Sequence, residues 1–300
     1  MTLTSSVVKV VAGVAATGVA GFSAGWLEAR SPVLRRFDVP VLQAGAHPIR
    51  ILHLSDFHFR RGQDWLVQFV SSLAGLEPDL VVNTGDNLSS ATGVDELWRA
   101  LEPYEVPGVY VFGSNDYYAP KFRNPLGYLW KKHSNKRPRS QDLPVAEIEA
   151  GFQALGWKSL NNDRALFAIH GQTIEFRGTN DAHVSWNDYS KVAGPASEGV
   201  DLSIGVTHSP YEAVLGPMVA DGVPLILAGH THGGQVCLPL KGAIVSNCDL
   251  DPALAKGLHR YGTSWLHVSA GLGTSTFAPY RLFCRPEASL LTLVPRDTVG

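Results

Sequence analysis

From Ser6 to Leu27 the chain reads SVVKVVAGVAATGVAGFSAGWL, a nearly unbroken apolar run with a single Lys9 near its start. A helix of that length crosses a hydrocarbon core, and no polar stripe marks it as the outer face of a soluble helix. The pattern predicts an N-terminal transmembrane anchor over residues 1–30, with Lys9 snorkelling at one end and Trp26 at the interface of the other. Ala20, Gly21, Ser23 and Ala24 make a cleavable signal segment the competing reading. Pro32, Pro40 and Pro48 predict an extended tether over residues 31–47. Past it, short apolar runs alternate with helical spacing. Pro48–His58 reads as a buried strand breaking at an acidic loop, Asp64–Leu76 as a helix and Asp79–Asp86 as a second strand. A helix around Val94–Leu101 and a third strand in Gly108–Asp116 complete the alternation expected of a parallel α/β sheet. The later half is richer in strands. Ala165–Asp181 predicts a hairpin turning near His170 and Gly171, and Asp201–Pro210, Pro224–Val236, Trp265–Gly273 and Ala288–Val294 predict further strands. No internal repeat and no second core set off by a linker is visible, so residues 48–300 are expected to form one domain.

Composition narrows the function. Of 300 residues 45% are apolar and 17% charged, which is globular. The net charge of −2 gives no basic field, which excludes a general nucleic-acid-coating role. Cys237, Cys248 and Cys284 have no metal-finger or CxxC spacing. Lys9 flanks the apolar run on one side and Arg30, Arg35 and Arg36, offset by Glu28, on the other, which leans towards a domain on the cytoplasmic face. Lys131–Gln141, KKHSNKRPRSQ, reads as a solvated basic loop, with a basic arm for phosphate head groups as the functional alternative.

The chemistry lies where apolar strands end. Five loops present polar groups directly after a strand: Asp56 with His58, Asp86, the Ser114–Asn115–Asp116 cluster, His208, and His230 with His232. A lone histidine after a strand is usually structural, but five such loops place ligands together at the carboxyl ends of an α/β sheet. Asp56 and His58 are two residues apart, as are His230 and His232, so each pair can reach one face of an extended segment. Imidazoles and carboxylates together suit divalent first-row metals such as manganese, iron or zinc. The supply of ligands favours two ions over one, and a shared carboxylate such as Asp86 could bridge them.

The series Asp56-x-His58, Gly85-Asp86, Gly113-Ser114-Asn115-Asp116, Thr207-His208 and Gly229-His230-Thr231-His232 resembles the calcineurin-like metallophosphoesterase superfamily, over Ile51 to about Val294. AGHTHGGQV and the tail GLGTSTFAPYRLFCRPEASLLTL are similar to its membrane-anchored bacterial branch. The resemblance implies an α/β fold of four layers, an α-β-β-α sandwich of two mixed sheets face to face with helices outside. It also implies a dinuclear site in which Asp56, His58 and His232 bind one metal, Asp86 bridges, and His208 and His230 bind the other. A hydroxide held between the ions would attack phosphorus in line.

The third motif departs from the family's usual Gly-Asn-His-Asp. Either Ser114 stands at the ligand position and Asn115 at that of the histidine, or a shift of the loop makes Asn115 the ligand with Asp116 in the histidine's place. Asn115 is the favoured ligand, because an amide oxygen binds a metal better than an unactivated hydroxyl. With the usual histidine missing, Asp116, His170 and His183 are the candidate proton donors. Tyr117 and Tyr118 could line the cleft, and Arg281 and Arg285 could contact phosphate, while Asn87 more simply orients Asp86. His53, His133, His259 and His267 read as structural. No nucleophile elbow or phosphate-cradling loop with a following lysine is present, which disfavours serine hydrolase and P-loop chemistry. The expectation is a membrane-anchored phosphoesterase that uses two divalent metal ions to cleave a phosphodiester or pyrophosphate, on a lipid-linked or envelope substrate, with no nucleic-acid or protein partner. The alternative is a degenerate sensor or scaffold that binds metal or phosphate without hydrolysis.

Overall fold

The computed structural model describes residues 21–121 and 141–298. Most of the predicted anchor and residues 131–140 of the basic segment lie outside the described residues. Residues 21–28 are helical, and among the described residues no helix is long and apolar enough to cross a membrane.

Two six-stranded sheets make up the α/β framework. The first contains β1 (Val33–Leu42), β2 (Ile49–Leu54), β3 (Leu80–Asn83), β4 (Gly108–Tyr110), β5 (Lys158–Ser159) and β14 (Glu287–Pro295), in the order β1-β14-β2-β3-β4-β5. Strands β2 to β5 are parallel, and β14 runs antiparallel to β2. The second contains β6 (Asp163–Ile169), β7 (Gln172–Thr179), β8 (Leu202–Thr207), β9 (Leu225–Ala228), β12 (Gly257–Tyr261) and β13 (Ser264–Val268), in the order β12-β13-β9-β8-β7-β6. Its four central strands are parallel and its two edges antiparallel. Between β9 and β12 a short hairpin joins β10 (Cys237–Leu238) to β11 (Gly242–Ala243).

Alternation along the strands divides the core. Ile51, Val82 and Val109 of the first sheet share one apolar cluster with Phe176, Ile204 and Leu227 of the second, so the sheets face each other. Leu52, Val81 and Tyr110 point the other way, against α1 (Asp64–Ser72), α2 (Val94–Leu101) and α4 (Val145–Ala154). On the far side Ile226, Leu266 and Val268 pack against Val214, Leu215 and Met218 of α5 (Glu212–Ala220). One further short helix, α3 (Ser114–Tyr117), follows β4.

The hairpin is found as the sequence predicts, with Ile169 paired to Gln172 across a turn in which His170 and Gly171 both have positive φ. The tether is not. Residues 33–42 form β1, parallel to β14 from Val33–Glu287 to Pro40–Val294. Pro40 is tolerated because β1 is an edge strand, and Val39 and Val41 bury themselves in the inter-sheet core.

On the outer side of β7, Glu175 and Arg177 form a buried pair at 2.7 Å. Burial works against the Glu175 charge, but the Ser197 hydroxyl and amide together with Arg177 and Arg164 outweigh it and hold the carboxyl at about 2, below its ordinary 4.5. A depressed carboxyl contributes stability above its ordinary pKa and loses it as pH falls through the native value. Glu175→Gln, which leaves Arg177 with Asp221 at 3.7 Å as its remaining counter-charge, should cost roughly 1.5–3 kcal/mol in urea unfolding at pH 7. The cost should shrink as pH falls from 4.5 towards 2; a cost independent of pH would contradict this account.

Candidate metal centre

All the predicted ligands leave the carboxyl ends of β2, β3, β4, β8 and β9, where two sheets facing each other bring five loops to one edge. Backbone bonds stitch the loops together. Asp56 N–H donates to Gly85 O at 2.8 Å, His58 N–H to Asp86 O at 3.0 Å, and Gly229 N–H to His208 O at 2.9 Å. Asp56, His58, Asp86, His230 and His232 have φ of 52°, 49°, 56°, 71° and 50°. Such values are uncommon outside glycine, and their concentration here marks a backbone held under strain at a functional centre. The strain turns successive side chains inward where an ordinary strand exit would splay them. Gly113 is required for a different reason: a Cβ there would stand 2.2 Å from Asp86 Oδ1 and 2.6 Å from the His208 ring.

Two groups of donor atoms converge, each within 4.8 Å of one another: Asp56, His58 and His232, and Asp56, Asp86 and His208. His58 Nε2 and His232 Nε2 are 3.1 Å apart. Asp86 spans the groups, with Oδ2 3.6 Å from His58 Nε2 and Oδ1 3.5 Å from His208 Nε2. His208 Nδ1–H donates to Thr84 O at 2.6 Å, which leaves the Nε2 lone pair facing the cluster. That Nε2 and Asp56 Oδ1 are buried with no hydrogen-bond partner. His230 stands edge-on to His208, ring centroids 5.2 Å apart, and its Nε2 is 3.2 Å from Asn247 O. Such convergent orphaned donors fit divalent metal ions.

The electrostatics agree for three of the four imidazoles, while burial of His208 is outweighed by the Asp86 carboxylate, which raises its pKa. Burial pushes the imidazoles of His58, His230 and His232 down, favouring the neutral form that can offer a lone pair. Burial also opposes charge on Asp86, but the His208 and His58 imidazoles beside it reverse the effect and keep it a carboxylate. Asp56 is raised by burial.

In the third motif it is Asn115 that meets Asp86: its N–H donates to Oδ1 at 2.8 Å and its amide Nδ2 to Oδ2 at 2.7 Å. A half-turn of the amide would present its oxygen in the same place. Asp116, expected in a catalytic role, is fully buried behind the loop. It accepts from the N–H of Asp86, Asn87 and Gly113 and from Asn87 Nδ2. Burial and the Asp86 charge push its carboxyl up to about 7. It is therefore a positioning residue and not a group facing substrate. His170 pairs with Asp79 at 2.7 Å away from the cluster, whereas His183 lies beside His230, centroids 4.8 Å apart, with Nδ1 2.9 Å from the Tyr211 hydroxyl.

The two substrate contacts are also placed differently from expectation. Tyr117 is buried, its ring against Phe112 and Trp186 and its hydroxyl accepting from Asn180. Arg281 is fully buried, and its guanidinium donates to the carbonyls of Ala270, Gly271, Gly273 and His232 while Nη2 lies 3.3 Å from His232 Nδ1. It secures the His232 loop from behind. Thr84 lies in the strand exit that carries Asp86, whereas the supporting carbonyl of Asn247 has no sequence signal. Removing the Asp116 carboxylate frees three backbone donors around Asp86. Asp116→Ala should weaken manganese binding by about 10–100-fold in calorimetric titration while the chain stays folded; unchanged affinity would overturn the positioning role.

Residues 49–234 match the family model described as calcineurin-like phosphoesterase. The chain is 27% identical over 276 residues to the phosphodiesterase YaeI of Escherichia coli, covering 90% of this chain and 89% of that one. It is 24% identical over 328 residues to the UDP-2,3-diacylglucosamine pyrophosphatase LpxG of Chlamydia muridarum, covering 95% and 96%. It is 27% identical over 277 residues to the bovine transmembrane protein with metallophosphoesterase domain, covering 88% of this chain and 58% of that one. Sequence and ligand geometry together thus make the chain a member of the calcineurin-like phosphoesterase family, a metal-dependent phosphoester hydrolase.

Proposed function

We propose that the chain is a membrane-anchored phosphoesterase with a dinuclear centre that cleaves a phosphodiester or pyrophosphate of a lipid-linked or envelope substrate. The observation that carries the dinuclear part is Asp86, whose two oxygens look towards imidazoles of opposite ligand groups. Asp56, His58 and His232 would hold one ion, and His208, His230 and Asn115 the other, with Asp86 shared; manganese, iron and zinc all suit this donor set. Bound ions supply an activated hydroxide and Lewis-acid stabilisation of the phosphoryl oxygens. The anchor is the apolar run of residues 6–27, with the domain on the cytoplasmic face by its flanking charge. The lipid-linked substrate is supported by that run and by the name of the chlamydial relative, a pyrophosphatase of a diacylated sugar nucleotide.

His183 is the donor that protonates the leaving group in this reading, since it alone of the three candidates adjoins the ligand cluster without being buried behind it. Asp86→Ala should abolish hydrolysis of bis(p-nitrophenyl) phosphate; residual turnover near that of the parent would remove Asp86 from the centre. His183→Ala should slow an alkyl phosphodiester by about 10²–10⁴-fold and a nitrophenyl diester, whose leaving group needs no proton, far less. Equal losses on both esters would exclude His183 as the donor.

A further inference from the structure

Nine large apolar side chains are exposed among the described residues, and eight of them lie on three short segments. Phe22, Trp26 and Leu27 belong to the helical residues 21–28. Leu238, Leu240 and Ile244 belong to the β10–β11 hairpin, whose tip residue Leu240 is fully exposed with φ of +65°. Phe277 and Phe283 lie in the segment leading to β14. Only Leu166, on the opposite edge strand β6, stands elsewhere.

The three segments are one assembly. Residues 277–284 run through its middle: Arg281 N–H donates to Gly25 O at 2.9 Å, and the N–H groups of Phe283 and Cys284 donate to the Glu28 carboxylate. On the other side Cys237 N–H donates to Leu282 O at 2.9 Å and Gln235 Nε2 to Ala278 O at 2.9 Å. Phe22 meets the Tyr280 ring at 5.9 Å. The assembly also borders the metal centre, because Arg281 within it holds His232, and the hairpin leaves the His232–Gly234 turn only three residues later.

A soluble protein rarely leaves so much apolar surface in one place. Two facts name what covers it. The apolar run of residues 6–20 leads directly into residue 21, at the edge of the patch. Cations ring it: Arg30 stacks over Trp26 at 3.6 Å, Lys241 sits at the hairpin tip, and Arg285 and Lys256 flank Phe283. Trp and Phe beside Arg and Lys is the composition of a surface that enters the boundary between head groups and acyl chains.

We propose that the β10–β11 hairpin and the 277–283 segment, beside the helical residues 21–28 at the end of the apolar run, form a second membrane contact that seats the rim of the metal centre on an anionic bilayer. The substrate phosphate is then one lying at head-group depth. That substrate half rests on the phosphoesterase reading above, whereas the surface half rests only on the anchor and on the exposed side chains.

The test uses the full chain reconstituted in phosphatidylcholine vesicles containing phosphatidylglycerol, with an environment-sensitive fluorophore at Leu240→Cys in a Cys248→Ala background. The same label at Leu166→Cys is the control. The label at 240 should shift to the blue and resist iodide quenching, and the label at 166 should do neither. A label at 240 as open to iodide as that at 166 overturns the membrane contact. Leu240→Asp should slow hydrolysis of a nitrophenyl phosphodiester of diacylglycerol in the same vesicles by at least about tenfold, since burying one leucine is worth more than a factor of ten. Its turnover of soluble bis(p-nitrophenyl) phosphate should stay that of the parent. If position 240 inserts while the parent protein leaves the vesicle lipid uncleaved, the substrate half fails and the contact surface stands.

Discussion

The carboxylate of Asp86 is the point on which the two halves of the fold agree. It sits at the end of β3 in one sheet and faces His208 from the end of β8 in the other. Burying that charge is costly unless it is paired. The pairing comes from every side: His58 and His208 flank it, and Asn115 donates to it twice. Asp116 grips its backbone from behind. His58, Asn115 and Asp116 follow strands of the same sheet as Asp86, but the His208 contact needs the two sheets face to face at a fixed separation, so the apolar core between them also sets the geometry of the site.

The second organising element is Arg281. A guanidinium buried this deeply must spend its donors, and here they go to three carbonyls of the 270–273 segment and to the His232 loop. Its positive charge beside His232 also disfavours the imidazolium, after burial and His58. Because the backbone of Arg281 is bonded to Gly25, the helical residues at the start of the described chain are tied within one residue to the support of the metal centre.

Much of this was legible in the sequence because strand exits carry their own signal. An apolar run that stops at Asp56, Asp86 or His208 announces both the strand and the polar group at its end, and the spacing of His230 and His232 shows the paired ligands. The hairpin at His170–Gly171 and α2 were equally plain. What stayed hidden depends on tertiary contacts. Strand β1 reads as a tether because Pro32, Pro40 and Pro48 look like linker punctuation; only its pairing with β14 makes it a strand. Arg281 and Tyr117 carry phosphate-binding or cleft chemistry by type, yet burial assigns them to support and packing. Likewise, nothing in the type of Asp116 tells that its carboxylate is filled by backbone donors.

The central claim is a centre with two ions that share Asp86 despite the altered third motif. Elemental analysis of the full chain, purified without chelator and reconstituted with manganese, tests it most directly. The account predicts two ions per chain, falling with loss of the Asp86 carboxylate. One ion per chain after reconstitution, with all the imidazoles intact, would contradict it.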